Sequence, residues 1–153
     1  MKRFLRGFVY AGKGLFLCVR TERNFRFHLC AAVFVIFLAA RYYAFDALHW
    51  AVLLATVFGV LTAEAVNSAV ERAVGLPDEA HDALAGQAKD LAAGAVLLCC
   101  IGAVCVGAAL FWQPEVFATI LRDWAMHPWV PALLVVYIVG SYIFVFLSEN
   151  KRS

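Results

Sequence analysis

Charge is what this sequence has least of. Only 16% of its 153 residues are Asp, Glu, Lys or Arg, against 64% hydrophobic, and the mean hydropathy is +0.80. Soluble domains sit near half apolar. A chain this short cannot hide so much apolar surface in a core of its own, so the bilayer must act as its solvent. Paired cysteines are also missing. Cys18, Cys30, Cys99, Cys100 and Cys105 all lie in or beside apolar segments, without C-x-x-C spacing or a matching histidine pattern. They read as small hydrophobes rather than as a disulfide or metal framework. The basic N-terminus is not followed directly by a short apolar run with a small-residue cleavage site, so no cleavable signal peptide is expected. Internal repeats and low-complexity tracts are lacking too. The net charge of +2 calls for no nucleic-acid partner.

What is present is a succession of apolar helices. Residues 2–20 read as an amphipathic helix: at about 100° per residue, Lys2, Arg6, Lys13 and Arg20 share one arc. Phe4, Leu5, Phe8, Leu15, Phe16 and Val19 oppose them. That pattern suits a helix lying in the membrane interface. A first span is expected from Phe27 to Ala40, extending as far as Phe45, with His28 and Arg41 at its edges. A second runs from Leu48 to Val70, turns polar after Leu61, and is ended by Gly75 and Pro77. A third runs from Leu91 to Trp112, opened by Lys89 and Asp90. It is rich in small residues such as Ala92, Gly94, Gly102 and Gly107, which let helix backbones approach closely in lipid. A short segment, Gln113 to Pro128, carries Trp124 and suits an interface. A fourth span runs from Val130 to Leu147. The fold expected is an all-α integral membrane protein: a surface helix and four transmembrane helices.

Seven basic residues, from Lys2 to Arg26, precede the first span, which places the N-terminus in the cytoplasm. Four spans return the C-terminus there, where Lys151 and Arg152 agree. The loop between spans two and three, carrying Asp78, Glu79, His81 and Asp82, then lies on the same side. The N-terminal helix, Glu22, the stretch Glu64 to Glu71 and the Lys89-Asp90 pair therefore converge on one membrane face.

Glu64, Asn67, Ser68 and Glu71 stand at i, i+3, i+4 and i+7, a single stripe on a helix. Ionisable groups this close to hydrocarbon are costly unless paired, wet or facing a bundle. The plainer reading pairs these glutamates with Arg72, Lys89 or the N-terminal arginines. The chemical reading gives them two jobs. Carboxylates are hard oxygen ligands for Mg²⁺, which usually arrives with a nucleotide's phosphates. A carboxylate beside apolar surroundings can also act as a general base toward a hydroxyl. Lys89 would neutralise phosphate charge and Asp90 would be a further ligand or orienter. The sequence has no P-loop, no kinase glycine-rich loop and no HRD or DFG element, so nucleotide chemistry would need a membrane-specific site. His28 reads as an interface residue and His81 as a solvated loop residue.

Four stretches resemble the prokaryotic diacylglycerol kinase and undecaprenol kinase family. They are Tyr10-Ala-Gly-Lys-Gly-Leu15, Thr21-Glu-Arg-Asn-Phe-Arg-Phe-His28, Glu64-Ala-Val-Asn-Ser-Ala-Val-Glu71 and Ala88-Lys-Asp-Leu-Ala-Ala-Gly-Ala-Val96. The resemblance covers residues 3 to 112, so residues 1–112 form the expected kinase core. Residues 113–153 form an added interfacial segment and span. The resemblance implies a homotrimer in the bacterial inner membrane that moves the γ-phosphoryl group of ATP, with Mg²⁺, onto a membrane lipid hydroxyl. It implies Glu64 as the catalytic carboxylate and Glu22 and Glu71 as metal ligands. Arg3, Tyr10, Asn67, Lys89 and Asp90 match nucleotide-end positions. The stretch Asn24 to His28 leans toward the undecaprenol branch, and it makes Phe25 and Arg26 candidate lipid-binding residues. Where the family usually carries an Asp, four residues past the second motif glutamate, this sequence has Gly75. That departure keeps a catalytically degenerate lipid-binding scaffold in view. A small ion-transport subunit is the third class, disfavoured because spans one, three and four are nearly all apolar at mid-depth.

Overall fold

In the computed structural model, residues 2–75 and 82–147 are described, and all elements among them are helical. Pro77, Asp78, Glu79, His81, Lys151 and Arg152 lie outside the described residues, as do the side chains of Lys2, Arg3 and Asp82. The helices are α1 (Lys2–Thr21), α2 (Arg23–Tyr42), α3 (Ala47–Val74), α4 (Asp82–Phe111), α5 (Pro114–Met126) and α6 (Trp129–Tyr142). A π-turn, Ile143–Leu147, prolongs α6. Four segments are long and apolar enough to cross a membrane: Arg23–Tyr42, Ala47–Val74, Ala83–Phe111 and Trp129–Leu147. The chain is an all-α, multi-pass membrane protein.

A single residue separates α1 from α2. Glu22 is extended, at φ −100° and ψ 113°. The Thr21 hydroxyl bonds back to the Leu17 carbonyl at 2.9 Å, a local bond that competes with continuing the helix. The break swings the chain from the amphipathic α1, whose Phe4, Phe8 and Phe16 are exposed, into the first span. At the far end of α2, Tyr43 is extended and its hydroxyl donates to the Phe111 carbonyl at 2.9 Å, tying α2 to the end of α4. Asp46 then caps α3 by accepting the His49 N–H at 2.9 Å. This and the His49 ring hold the Asp46 carboxyl below the usual carboxylate range.

The helices α3 and α4 form the main hairpin. The buried face of α3 carries Leu53, Val60, Glu64, Asn67 and Ser68, in near-heptad spacing. Val96 answers it from α4. The α3 helix runs on to Val74, where the Gly75 N–H caps it on the Glu71 carbonyl at 3.0 Å. The α4 helix starts at Asp82 rather than at Leu91, where its uncharged run begins, so Lys89 and Asp90 stand within it. Leu91, Leu98 and Val104 on α4 are all more than 70% exposed in the single chain. A Cβ added at Gly94, Gly102 or Gly107 would meet nothing within 4 Å. The glycines of α4 therefore do not mark its approach to α3; they lie away from the chain's own contacts.

The segment after Trp112 is a helix of its own, α5. Gln113 is extended and Pro114 opens the first turn, where its missing N–H costs nothing. With α2 and α6, α5 lines a half-open apolar cleft of about 570 Å³, walled by Phe34, Phe37, Trp124, Trp129 and Tyr137 among others.

Candidate active site

The polar stripe of α3 is turned into the protein as far as Ser68, and Glu71 at its end is exposed. Glu64 is 2% exposed, Asn67 7% and Ser68 3%. The Ser68 hydroxyl donates to the Glu64 backbone carbonyl at 2.9 Å, which satisfies the hydroxyl without using the carboxylate. The Asn67 amide donates to Glu71 Oε1 at 2.9 Å. Among the described residues no donor reaches the buried Asn67 Oδ1, which leaves one hard oxygen acceptor unsatisfied beside Glu71.

Neither Arg72 nor Lys89 pairs with Glu64. Its neighbour is His28 of α2, whose Nε2 stands 3.2 Å from Glu64 Oε1. Cys100 of α4 brings its Sγ to 3.9 Å from the same nitrogen. Three helices thus meet at the Glu64 carboxyl. His28 was legible only as an edge-of-span residue. The signal that finds it is a histidine one helix away from a buried carboxylate stripe, at the same membrane depth.

Glu22 approaches from the α1–α2 break. Its extended backbone turns the side chain toward α3, where Arg72 Nη2 lies 2.6 Å from Oε1. The Thr21 hydroxyl donates to the same oxygen at 3.0 Å, and Arg72 also contacts Thr21 Oγ1. The break between helices is therefore what brings a carboxylate from the surface helix to the end of α3. Burial and then the Glu22 carboxylate push the Cys18 thiol up, which disfavours its thiolate. All five cysteines are free.

Lys89 and Asp90 are exposed on α4. Each helix rises about 1.5 Å per residue, so Lys89, counted from the start of α4, lies at about the depth of Asn67 counted from the end of α3. Tyr10 is exposed on α1. Phe25 and Arg26 are buried within the chain, at 4% and 1% exposure. Arg26 donates to the Val145 carbonyl at 2.9 Å and to the carbonyls of Arg20 and Val19 at 3.3 and 3.4 Å. In the single chain Arg26 serves the junction of α1, α2 and the end of α6, and neither residue presents a face to lipid.

Among the described residues, no three His, Cys, Asp or Glu side chains converge to hold an ion by themselves. The donor set nonetheless suits an ion that arrives with phosphates. Mg²⁺ is usually held by one or two carboxylates plus phosphate oxygens and water, and Glu22, Glu71 and Asn67 Oδ1 are all hard oxygen donors.

Residues 9–111 match the family model described as prokaryotic diacylglycerol kinase. The chain belongs to that family. It is therefore a lipid kinase. It is 35% identical over 111 residues to the undecaprenol kinase of Bacillus subtilis, covering 72% of this chain and 89% of that protein. It is 43% identical over 108 residues to a diacylglycerol kinase of Synechocystis, covering 70% of this chain and 61% of that protein. Identity to the Escherichia coli K12 diacylglycerol kinase is 31% over 111 residues, with 72% and 90% covered. No solved structure gives a significant match. The matched region of the family ends where α4 ends, so α5 and α6 lie beyond it.

Proposed function

We propose that the protein transfers the γ-phosphoryl group of ATP to the hydroxyl of a membrane lipid, with undecaprenol preferred over diacylglycerol. The observation that carries the reading is the Glu64 carboxylate, buried at the polar end of two spans where a lipid hydroxyl would sit. Undecaprenol is supported by the Asn24 to His28 stretch and by the Bacillus subtilis relative. We place the site at the cytoplasmic face of the bacterial inner membrane, following the basic residues that precede α2. The assembly proposed is a homotrimer, in which the exposed apolar face of α4 would find partners. Residues 1–112 form the catalytic unit and 113–153 an added one.

In this mechanism Glu64 takes the proton of the lipid hydroxyl as its oxygen bonds to the γ-phosphorus. The bond from that phosphorus to the β–γ bridging oxygen breaks, and ADP leaves. Lys89 offsets the phosphate charge, and Asp90, Asn67, Tyr10 and Arg3 hold the nucleotide. Glu22 and Glu71 would hold Mg²⁺, which when bound supplies neutralisation of the triphosphate. Phosphoryl transfer needs little covalent help from the protein, so positioning and electrostatics supply most of the acceleration. Phe25 and Arg26 contribute to lipid binding indirectly, Arg26 through the junction of α1, α2 and the π-turn that it holds.

The test uses purified protein in bicelles with γ-labelled ATP and Mg²⁺. Undecaprenol and diacylglycerol are offered in parallel, with Glu64→Gln as control. Label entering undecaprenol faster, and absent in the control, is expected. Normal turnover by a folded Glu64→Gln variant would remove Glu64 as the base.

A further inference from the structure

The contact between His28 and Glu64 joins two spans at the one buried carboxylate of the stripe. Of the other side chains along it, Ser68 is bonded to a backbone carbonyl and Asn67 is turned to Glu71. Arg72 is turned to Glu22. None of these fixes the orientation of the Glu64 carboxyl. The His28 ring stands within hydrogen-bonding distance of Oε1, 19% exposed at its side chain against 3% for Glu64. Its position is itself braced: Phe27 meets the imidazole edge-on at 5.4 Å between ring centres, and Cys100 lies on the α4 side.

We propose that His28 is a positioning residue for the phosphoryl transfer: Nε2 holds Glu64 Oε1 and leaves Oε2 to receive the proton of the lipid hydroxyl. This rests on the reading of Glu64 as the base. The proton balance is simple. The hydroxyl proton passes to Oε2 while the lipid oxygen forms its bond to phosphorus, and the imidazole keeps its own proton throughout. A general base must be within reach and correctly aimed, and a carboxyl on a rotatable side chain has two oxygens to offer. The imidazole makes one of them the hydrogen-bonded oxygen and the other the reactive one.

The experiment compares His28→Leu, His28→Gln and His28→Asn with wild type and Glu64→Gln, in lipid bicelles at saturating ATP. His28→Leu is expected to lose kcat on the order of tenfold to a hundredfold, the scale of a misplaced catalytic group, with KM for the lipid little changed. Gln places an amide nitrogen near the Nε2 position and should recover most of the loss. Asn reaches only the Nδ1 position and should not. Adding His28→Leu to Glu64→Gln should cost nothing further, because both act through one group. An unchanged kcat in His28→Leu would overturn the proposal, as would equal activity of the Gln and Asn variants. That last comparison also decides the matter if His28→Leu does not fold. The two readings fail separately. Normal turnover by Glu64→Gln sinks the base, whereas a dead Glu64→Gln beside a fully active His28→Leu sinks only the role of His28.

Discussion

Arg26→Met removes a buried cation from the junction between the family core and the C-terminal unit, and should weaken the fold by about 2–4 kcal/mol. The Val145 carbonyl accepts from the guanidinium at 2.9 Å, and hydrogen bonds to charged groups are worth about 1.5–3 kcal/mol. The carbonyls of Val19 and Arg20, at 3.4 and 3.3 Å, belong to the last turn of α1, whose orphan C=O groups favour a nearby cation. These longer bonds add on the order of 1 kcal/mol between them. The Phe144 ring, 6.0 Å from the guanidinium carbon, adds about 0.5 kcal/mol. Methionine keeps much of the apolar stem and escapes the cost of burying a charge, which offsets part of the loss. The three carbonyls still lose their donor. Reversible unfolding in mixed detergent micelles, followed by circular dichroism, measures the difference. A midpoint unmoved from wild type would refute the reasoning and mean that the guanidinium does not hold α6 to the core.

Two further perturbations test the opposite end of the molecule and the nucleotide end. The Tyr42 hydroxyl, donating at 2.7 Å, and the Arg41 guanidinium, at 3.1 Å, hold the Asp123 carboxyl below the usual carboxylate range against its partial desolvation. A lowered folded pKa gives stability that is present above the unfolded value, about 3.9, and is lost as pH falls through the folded one. Asp123→Asn should therefore be less stable than wild type at pH 7, the gap closing below about pH 4 in thermal unfolding scans; a gap independent of pH would refute it. Gly75 has an ordinary φ of −76°, so a side chain is conformationally acceptable, but its Cβ would meet the Glu71 carbonyl at 3.0 Å. Gly75→Asp should fold after a shift of a few tenths of an ångström and lower the KM for ATP, by returning a carboxylate to the end of α3. A raised KM in the folded variant would show that the site is complete without it.

The helices were legible because apolar runs of this length have few alternatives in a bilayer, where backbone groups must be satisfied within the segment. The stripe from Glu64 to Glu71 was legible for the same reason in reverse: its polarity has no packing excuse. Boundaries were less so. The α4 helix begins at Asp82 because a polar turn outside hydrocarbon can still be helical, and hydropathy alone sees only the part from Leu91 on. The α5 helix hid because its apolar content is modest, although Pro114 after an extended residue is a helix-start signal. Pairings were not legible at all. Arg72 could have met Glu64, Glu71 or Glu22, and only the extended backbone at Glu22 selects the last. Arg26 stood in a basic stretch and read as a candidate lipid-binding residue, and its junction role was hidden because its acceptors are backbone carbonyls that a sequence does not display.

The polar contacts of α2 sort onto two faces, and this separates the C-terminal unit from the chemistry. At about 100° per residue, with His28 set at zero, Arg26, Cys30 and Arg41 fall at about 160°, 200° and 220°. Arg26 holds Val145, the Cys30 carbonyl accepts from Tyr137 at 2.6 Å, and Arg41 meets Asp123. In lipid, apolar helices gain little from mutual burial, so interhelical polar contacts act as glue. Here Arg26, Cys30 and Arg41 reach the π-turn, α6 and α5 from one end of α2 to the other, while His28 meets Glu64 on the opposite side. Tyr42, at about 320°, shares the His28 side but donates to Asp123 about 21 Å further along the helix. The added unit is therefore fastened mainly to the back of α2, and its one bond on the other face, from Tyr42, lies at the far end of the helix from His28 and Glu64. Truncation after Trp112 should keep lipid phosphorylation measurable while lowering the unfolding midpoint, since Arg26 loses the Val145 carbonyl and Arg41 loses Asp123. A truncated protein that is folded, assembled and fully inactive would refute the separation and show that α5 and α6 reach the site through α2.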